Sequence, residues 1–345
     1  MMECSAWKSQ PKLELHRHVE GSIRLSTYVD ILRSRGLRPQ LPVSLEDQDA
    51  VRRLISICQD DEKEFLRGLS HFRWLRLALC DWEAIARLIM EAVEDAAAQG
   101  IVYQELRLSP GPLLAKGISG SEILRAVEAG VCAGEKRTGI RSGVILGINR
   151  EMPVEYGTQI LQLTIQGQGR GVCGLDLLSD ESYPPELFAE VFQKARQAGI
   201  HRTVHAGEFG SSDNIRTAVL KLHAERIGHG LHLYDGRNPD LPSILRDSQV
   251  QIECCPTSNV IFGVLDEVNQ HPLMQMYRDR IPVSINTDDP QVIQWELCEE
   301  YARLQTLYRL DDKIWTQLTA CGVDQIFRED CVQWLRSKID PTNKK

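Results

Sequence analysis

The fold is decided by the stretch D-W-E-A-I-A-R-L-I-M-E-A-V-E-D-A-A-A-Q-G-I-V-Y-Q-E-L-R-L-S-P-G, residues 81–111. Its apolar residues recur at helical spacing between Ile85 and Ala96, which predicts an amphipathic helix. Asp81 can cap the start of this helix and Gly100 can end it. Residues 102–108 then have the composition of a strand, followed by Ser-Pro-Gly. The stretch therefore predicts one helix followed by one strand.

The same alternation extends along the whole chain of 345 residues. The predicted strands are residues 13–18, 102–108, 143–148, 172–177, 202–205, 225–228, 250–254 and 283–286. Because parallel strands need crossover connections, strands that alternate with helices indicate a parallel sheet. Eight such units favour the α/β class, as a single (β/α)8 TIM-type barrel with extra helices. An open doubly wound sheet is the alternative, although the G-x-G-x-x-G phosphate loop is absent.

We expect one domain over residues 1–345, with residues 1–12 as an N-terminal extension and residues from about 335 to 345 as a C-terminal tail. The first 12 residues lack an apolar signal region, and no run approaches the roughly 18 apolar residues of a membrane span. The ten cysteines are scattered without any C-x-x-C, so reduced thiols are expected. We therefore predict a cytoplasmic protein. The sequence does not specify its oligomeric state.

The charge of the chain favours a small substrate. Its formal net charge is −8, with acidic and basic residues mixed throughout. An acidic surface disfavours nonspecific binding to nucleic acid or to an anionic membrane. We therefore expect a small-molecule ligand and neither a nucleic-acid partner nor a membrane partner.

Histidines at strand ends indicate where chemistry takes place. The residues concerned are His16, His18, His205 and His229, joined by Asp288 and Asp289 after the eighth strand. In a barrel, the carboxyl ends of the strands meet on one face, where active sites are built. His16 and His18 are two residues apart on a strand, so their side chains point the same way. Each motif alone has a structural explanation, as a hydrogen-bonded or core histidine, but the set is difficult to explain by packing. Imidazole and carboxylate ligands suit Zn²⁺.

Five motifs contain these residues: L-E-L-H-R-H-V-E-G-S (13–22), V-H-A-G-E (204–208), R-I-G-H-G (226–230), C-P-T-S-N (255–259) and S-I-N-T-D-D-P (284–290). In order and spacing they resemble the signatures of the adenosine deaminase family. Weaker similarity at residues 103–110 and 174–181 extends the resemblance over nearly the whole chain. The resemblance implies a metal-dependent hydrolase that removes the amino group of a 6-aminopurine. Such an enzyme converts adenosine or 2′-deoxyadenosine to inosine or 2′-deoxyinosine and ammonia.

The resemblance also implies the role of each site residue. One Zn²⁺ ion per chain would be bound by His16, His18, His205 and Asp288. The catalytic set would be Glu208, which protonates purine nitrogen 1, His229, which orients and activates the attacking hydroxide, and Asp288. The substrate-binding set would be His18, Glu20, Ser179 and Asp289, with Asp289 hydrogen-bonded to nitrogen 7. An acid must keep its proton until it is needed, so Glu208 should be buried with a perturbed pKa. The structural alternatives are a solvated turn for Glu208 and a helix N-cap for Asp289.

Two positions depart from the family pattern. Glu20 stands where the family usually has an aspartate that is expected to contact the sugar 5′-hydroxyl. Ser179 stands where it usually has a glycine whose N–H is expected to meet nitrogen 3. Relatives that deaminate free adenine or modified adenine nucleosides often have glutamate at the first position. The alternative substrates are therefore free adenine and modified 6-amino or 6-alkylamino purines.

Several further hypotheses stay open at this point. Residues 60–74 place Phe65, Leu66, Leu69, Phe72 and Trp74 at helical spacing, as a core face or as an apolar lid. Cys254 and Cys255 are expected to be buried thiols and not nucleophiles, and Ser258 and Asn259 to be structural. The competing functions are another metal hydrolase, for which related barrels usually carry a lysine that bridges two metals, and a non-catalytic binding protein. An editing deaminase of nucleic acid would need H-x-E and P-C-x-x-C, a combination that is absent.

Overall fold

The computed structural model describes residues 4–57 and 70–339, without the side chains of residues 312 and 313. At its centre is a parallel sheet whose strands pair in the order β1 to β4 and β5 to β8. The strands are β1 Lys12–His18, β2 Ile101–Leu108, β3 Arg141–Asn149, β4 Val172–Leu178, β5 Thr203–Ala206, β6 Arg226–His229, β7 Gln251–Cys254 and β8 Val283–Ile285. Each predicted strand is confirmed, with ends that differ by at most two residues.

The sheet closes on itself at two seams. Leu175 of β4 forms a parallel bridge with Arg202, which directly precedes β5. At the other seam, the N–H of His18 donates to the carbonyl of Asp288 at 2.9 Å, and the N–H of Asp288 donates to the carbonyl of His16 at 3.0 Å. A closed sheet of eight parallel strands is the (β/α)8 barrel, so the barrel prediction is confirmed and the open sheet is excluded.

Helices surround the barrel and fill its connections. Their bounds are α1 Cys4–Lys8, α2 Leu25–Ser34, α3 Gln48–Ile55, α4 Phe72–Leu75, α5 Trp82–Ala98, α6 Pro110–Ala115, α7 Gly120–Thr138, α8 Val154–Gly167, α9 Ala189–Gln197, α10 Ser212–Leu220, α11 Leu241–Asp247, α12 Pro256–Ile261, α13 Leu273–Arg278, α14 Pro290–Ile293, α15 Leu297–Tyr308, α16 Asp312–Val323 and α17 Val332–Ile339. Within the described ranges, no helix combines the length and the apolar composition that a membrane crossing requires.

Helix α5 forms as its sequence predicts. The Asp81 carboxylate accepts a hydrogen bond from the N–H of Ala84 at 2.7 Å, which caps the helix. Its apolar face is buried against α7, where Gly134 allows a close approach. A Cβ atom at Gly134 would lie only 2.6 Å from Cβ of Val93. The helix ends before Gly100, whose φ of +74° suits glycine.

Charged side chains fill part of the barrel interior, a feature that the sequence did not predict. Arg107 pairs with Asp176 at 2.8 Å and also contacts Glu253. Arg226 pairs with Glu253 at 2.7 Å and with Glu105 at 2.6 Å. All five side chains are completely buried, so each charge depends on the others for compensation.

The chain after α16 covers the lower end of the barrel. The N–H of Phe327 donates to Glu105 Oε1 at 2.6 Å, and the Arg226 guanidinium lies 3.6 Å from the centre of the Phe327 ring. Within the predicted extension and tail, Trp7 and Leu335 are buried against the rest of the molecule. The assignment of one domain to residues 1–345 stays a prediction.

Candidate active site

A pocket opens at the carboxyl ends of the strands, on the face where barrel enzymes carry their sites. The empty space in the pocket, together with its open mouth, is about 590 Å³. It is lined by His18, Glu20, Phe72, Arg76, Ser109, Asn149, Leu178, Ser179, His205, Glu208, His229, Phe262, Asp288 and Asp289. Every predicted site residue lies on this wall except His16, which is completely buried beneath it.

Four side chains at the pocket floor fit a metal ion. His16 and His18 come from β1, His205 from β5 and Asp288 from the turn after β8, and one ligand atom of each lies within 4.8 Å of the others. Asp288 Oδ1 lies 3.4 Å from His16 Nε2 and 3.2 Å from His18 Nε2. His18 Nε2 and His205 Nε2 are 3.3 Å apart. Ligands about 2.0–2.1 Å from a tetrahedral Zn²⁺ ion would be roughly 3.3 Å apart. The donor set and its spacing therefore suit Zn²⁺.

Two of the four histidines at the site are oriented by carboxylates from the barrel interior. His16 Nδ1 lies 2.8 Å from Glu253 Oε2, and His205 Nδ1 lies 3.0 Å from Asp176 Oδ2. These contacts direct the Nε2 atoms toward the proposed ion, as carboxylates behind metal-bound histidines do. Among the described residues, His16 Nε2 has no hydrogen-bond partner although it is buried. Burial lowers the pKa of His205 to about 4, despite Asp176, so the ring is neutral and able to bind metal.

Asp288 is held as a carboxylate. Burial would raise its pKa, but His16 and His18 keep the pKa well below its usual range. The Ser258 hydroxyl donates to Asp288 Oδ2 at 2.7 Å, which leaves Oδ1 facing the histidines. Ser258, expected to be structural, thus orients a metal-ligand candidate.

A neutral carboxyl group and a neutral imidazole lie side by side next to this cluster. Burial, followed by the charge of Asp288, raises the pKa of Glu208 well above its usual value. Burial lowers the pKa of His229. The two side chains are 3.4 Å apart, and Asn259 Nδ2 lies 3.1 Å from both Glu208 Oε1 and His229 Nδ1. Near pH 7 this arrangement offers a proton donor beside a base, as acid–base chemistry requires.

Glu208, His229 and Asp288 also form a second group that could hold a metal ion. The two groups share Asp288, and the raised pKa of Glu208 favours a proton over a cation at that carboxyl group. In the described part of the chain, no lysine lines the pocket. A lysine that bridges two metals is therefore not found there.

Asp289 and Glu20 both line the pocket and lie close enough for the charge of Glu20 to act on Asp289. Burial, the charge of Asp288 and that of Glu20 raise the pKa of Asp289 well above its usual value. The N–H of Ser109 donates to Glu20 Oε1 at 3.1 Å. Within the described ranges, Glu20 Oε2 and Asp289 Oδ1 are buried without hydrogen-bond partners, so both are available to a ligand.

Three non-glycine residues of the site adopt left-handed backbone conformations. Their φ angles are +79° at Ser179, +65° at His229 and +70° at Asp288. Such conformations are costly for residues with a Cβ atom, and they cluster at functional sites. At Ser179 this conformation gives a physical reason for the glycine that the family pattern has there.

Glu181 is a site residue that the sequence analysis missed. Its carboxylate accepts hydrogen bonds from the N–H groups of Gly207 at 2.8 Å, Glu208 at 2.7 Å and Phe209 at 3.1 Å. Burial would raise the pKa of Glu181, but Arg150 and these contacts keep it lowered. Glu181 thereby fixes the loop that carries Glu208. Its place at the end of the motif at residues 174–181 was the available signal.

The remaining hypotheses have mixed outcomes. Cys254 and Cys255 are completely buried, and burial raises the pKa of both thiols, which supports buried thiols over nucleophiles. Phe72 lines the pocket, whereas Trp74 packs at the edge of the core. The proposed lid residues Phe65, Leu66 and Leu69 lie outside the described residues.

Comparison with known proteins gives concordant results. Residues 11–341 match the family model described as adenosine deaminase. The chain is 34% identical to adenosine deaminase of Danio rerio over 316 residues, which covers 86% of this chain and 85% of that protein. An amidohydrolase of Burkholderia ambifaria, solved with bound Zn, matches with a TM-score of 0.87 and 25% identity, over 99% of this chain and 93% of that one. The N6-methyl-AMP deaminase of Arabidopsis thaliana matches with a TM-score of 0.84 and 26% identity, over 98% of both chains.

Proposed function

Because the chain belongs to the adenosine deaminase family, we propose that it converts adenosine or 2′-deoxyadenosine to the corresponding inosine with one Zn²⁺ ion per chain. The family match makes the chain a hydrolytic deaminase of adenosine-like purines. The observation that carries the finer proposal is that Glu208, whose pKa burial raises, lies beside a four-ligand cluster in one pocket.

The proposed zinc ligands are His16, His18, His205 and Asp288, supported by their spacing and by the orphaned Nε2 of His16. Bound there, Zn²⁺ would lower the pKa of water and so supply hydroxide at neutral pH. Glu253 and Asp176 hold two of the imidazoles in the orientation that this requires.

Glu208 and His229 would carry out the proton chemistry. Glu208 holds a proton near pH 7 and donates it to ring nitrogen 1, which makes carbon 6 electrophilic. His229 is neutral and orients the attacking hydroxide. Attack at carbon 6 gives a tetrahedral carbon that carries a hydroxyl group and the amino group. His229 would pass the proton of this hydroxyl to the amino group, so that the carbon–nitrogen bond breaks, ammonia leaves and the carbon–oxygen double bond forms, while nitrogen 1 keeps the proton from Glu208. The proton released when water becomes hydroxide would restore the carboxyl group of Glu208. Burial of the pair strengthens both interactions, because little water competes for them.

Asp289 and Ser179 would position the purine ring. Ring nitrogen 7 is a hydrogen-bond acceptor, so its partner must be a donor. The raised pKa of Asp289 keeps that carboxyl group protonated and able to donate. The backbone N–H of Ser179 would meet ring nitrogen 3, and its left-handed conformation orients the peptide there.

Glu20 would read the sugar. With Oε1 occupied by the Ser109 N–H, its Oε2 atom would accept a hydrogen bond from a sugar hydroxyl. Free adenine offers no such hydroxyl, so this contact favours a nucleoside over free adenine. Modified 6-amino or 6-alkylamino purines are the other alternative, and the contact with the sugar does not separate them from adenosine.

The test is ultraviolet absorbance of the purified, zinc-loaded protein with adenosine, 2′-deoxyadenosine, adenine and N6-methyl-AMP in parallel. We expect the adenine band to fall for the two nucleosides, with release of ammonia and one zinc per chain by elemental analysis. Turnover of adenine alone, or of N6-methyl-AMP alone, would contradict the substrate assignment. The Glu208→Gln variant serves as the inactive control in each reaction.

A further inference from the structure

Asn149 is a pocket residue to which neither the sequence motifs nor the proposed chemistry gives a role. It ends β3 and is only 1% exposed. Its side chain lines the pocket, yet within the described ranges neither Nδ2 nor Oδ1 has a hydrogen-bond partner. Buried polar groups are normally paired, so an unpaired amide on the wall of a pocket indicates a ligand contact.

The backbone around Asn149 is fixed. Asn149 pairs in register with Leu178 of β4, and its carbonyl accepts a hydrogen bond from the N–H of Met152 at 3.1 Å. Gly111 of α6 lies beside the amide, since a Cβ atom there would lie 3.7 Å from Asn149 Oδ1 and only 2.5 Å from the sulfur of Met152, which packs against Gly111. The amide therefore stands on a rigid strand end and faces the pocket that it lines.

The position of Asn149 in the barrel determines which part of a substrate it would meet. The proposed metal ligands and the acid come from β1, β5, the loop after β5 and the turn after β8. Glu20, Ser109, Asn149 and Ser179 lie at the ends of β1, β2, β3 and β4, respectively. In the proposed orientation, carbon 6 faces the metal and nitrogen 3 faces Ser179. The substituent on nitrogen 9, across the ring system from carbon 6, then points toward the wall that contains Asn149.

We propose that Asn149 is a specificity-determining residue that hydrogen-bonds a hydroxyl group of the substrate's sugar. An amide presents one donor group and one acceptor, and a hydroxyl needs both. Glu20 offers only acceptor oxygens when ionised, so Asn149 supplies the donor that the carboxylate lacks. This inference rests on the proposed function for the orientation of the purine.

The experiment compares kcat/KM for adenosine and its 2′-, 3′- and 5′-deoxy analogues in the wild type and in Asn149→Leu. Loss of one uncharged hydrogen bond corresponds to roughly a five- to ten-fold effect. We expect the wild type to prefer adenosine over one deoxy analogue by about that factor, chiefly through KM. Asn149→Leu should lose this preference while it keeps its kcat/KM for that analogue. The matched control is Asn269→Leu, at an exposed residue that does not line the pocket.

An equal loss on all four substrates in a folded Asn149→Leu protein would overturn the inference. Turnover of adenosine by the wild type tests the proposed function separately. Calorimetric binding of inosine and its deoxy analogues needs no turnover, so it tests Asn149 even if adenosine is not deaminated. Equal affinity of the wild type and Asn149→Leu for all of these ligands would then exclude the contact.

Discussion

Glu253→Gln tests whether the charged barrel interior holds both the fold and the metal site. Glu253 is completely buried, accepts hydrogen bonds from His16 on one side and from Arg107 on the other, and forms an ion pair with Arg226. Glutamine keeps the shape of the side chain but removes its charge, and its amide group would direct N–H bonds at groups that are themselves donors. The substitution should therefore weaken the barrel and release the ring of His16.

The expected loss of stability depends on which carboxylate partner each arginine keeps in the variant. Removing one partner of a buried ion pair costs about 3–5 kcal/mol when the other charge is left alone. Here Arg107 keeps Asp176 and Arg226 keeps Glu105, so we expect a loss of about 2–3 kcal/mol in the free energy of unfolding. Loss of the carboxylate behind a metal-bound histidine typically weakens metal binding about 10–100-fold, and we expect the same for Zn²⁺ here.

This contribution depends on pH in a defined direction. Burial would raise the pKa of Glu253, but Arg107 and Arg226 lower it to about 2, against about 4.3 in an unfolded chain. A lowered pKa in the folded state stabilises the protein above the unfolded value, and that stability is lost as the pH falls toward 2. The difference in unfolding free energy between the wild type and Glu253→Gln should therefore have its full size above about pH 4.5. It should become smaller as the pH falls below that value.

Urea denaturation of the metal-free proteins and competition with a chelator for Zn²⁺ measure the two effects. The matched control is Glu190→Gln, since Glu190 forms an exposed pair with Lys194 and should leave both quantities unchanged. If the unfolding free energy of Glu253→Gln stays within about 0.5 kcal/mol of the wild type and its zinc affinity within threefold, the charged interior does not have the role assigned to it.

Three further predictions concern the pocket. Glu208→Gln should lower kcat by at least about 100-fold while zinc content is kept, because the proton donor is lost; near-normal turnover would remove Glu208 from that role. Glu181→Gln should lower kcat by about tenfold or more, since the N–H groups of Gly207 and Glu208 lose the carboxylate that both of them contact. Steady-state kinetics at unchanged zinc content measure the loss, and an unchanged kcat would contradict this role of Glu181. Ser179→Gly should raise the free energy of unfolding by up to about 1 kcal/mol, because glycine removes the strain of a left-handed serine, and this gain outweighs the extra freedom of glycine in the unfolded chain. Urea denaturation measures the change, and a clear loss of stability would show that Ser179 is not strained.

The sequence predicted those features that depend on neighbours along the chain. Strand and helix periods, the Asp81 cap and the glycine at position 100 are local, so they placed the eight strands to within two residues. Alternation of strands and helices then restricted the topology to very few folds. Strand ends in a barrel converge, and for this reason His16 and Asp288 could be assigned to one site although 271 residues lie between them.

Tertiary structure alone decided which groups surround that site. Glu253 and His16 are 237 positions apart, and no local pattern connects a glutamate on β7 with a histidine on β1. The same holds for Asp176 behind His205, for Asn259 between the acid and the base, and for the unpaired amide of Asn149. Their roles arise from burial and from distances across the closed barrel. These pairwise energies exist only once the chain has folded, whereas helix and strand preferences already act on each segment by itself.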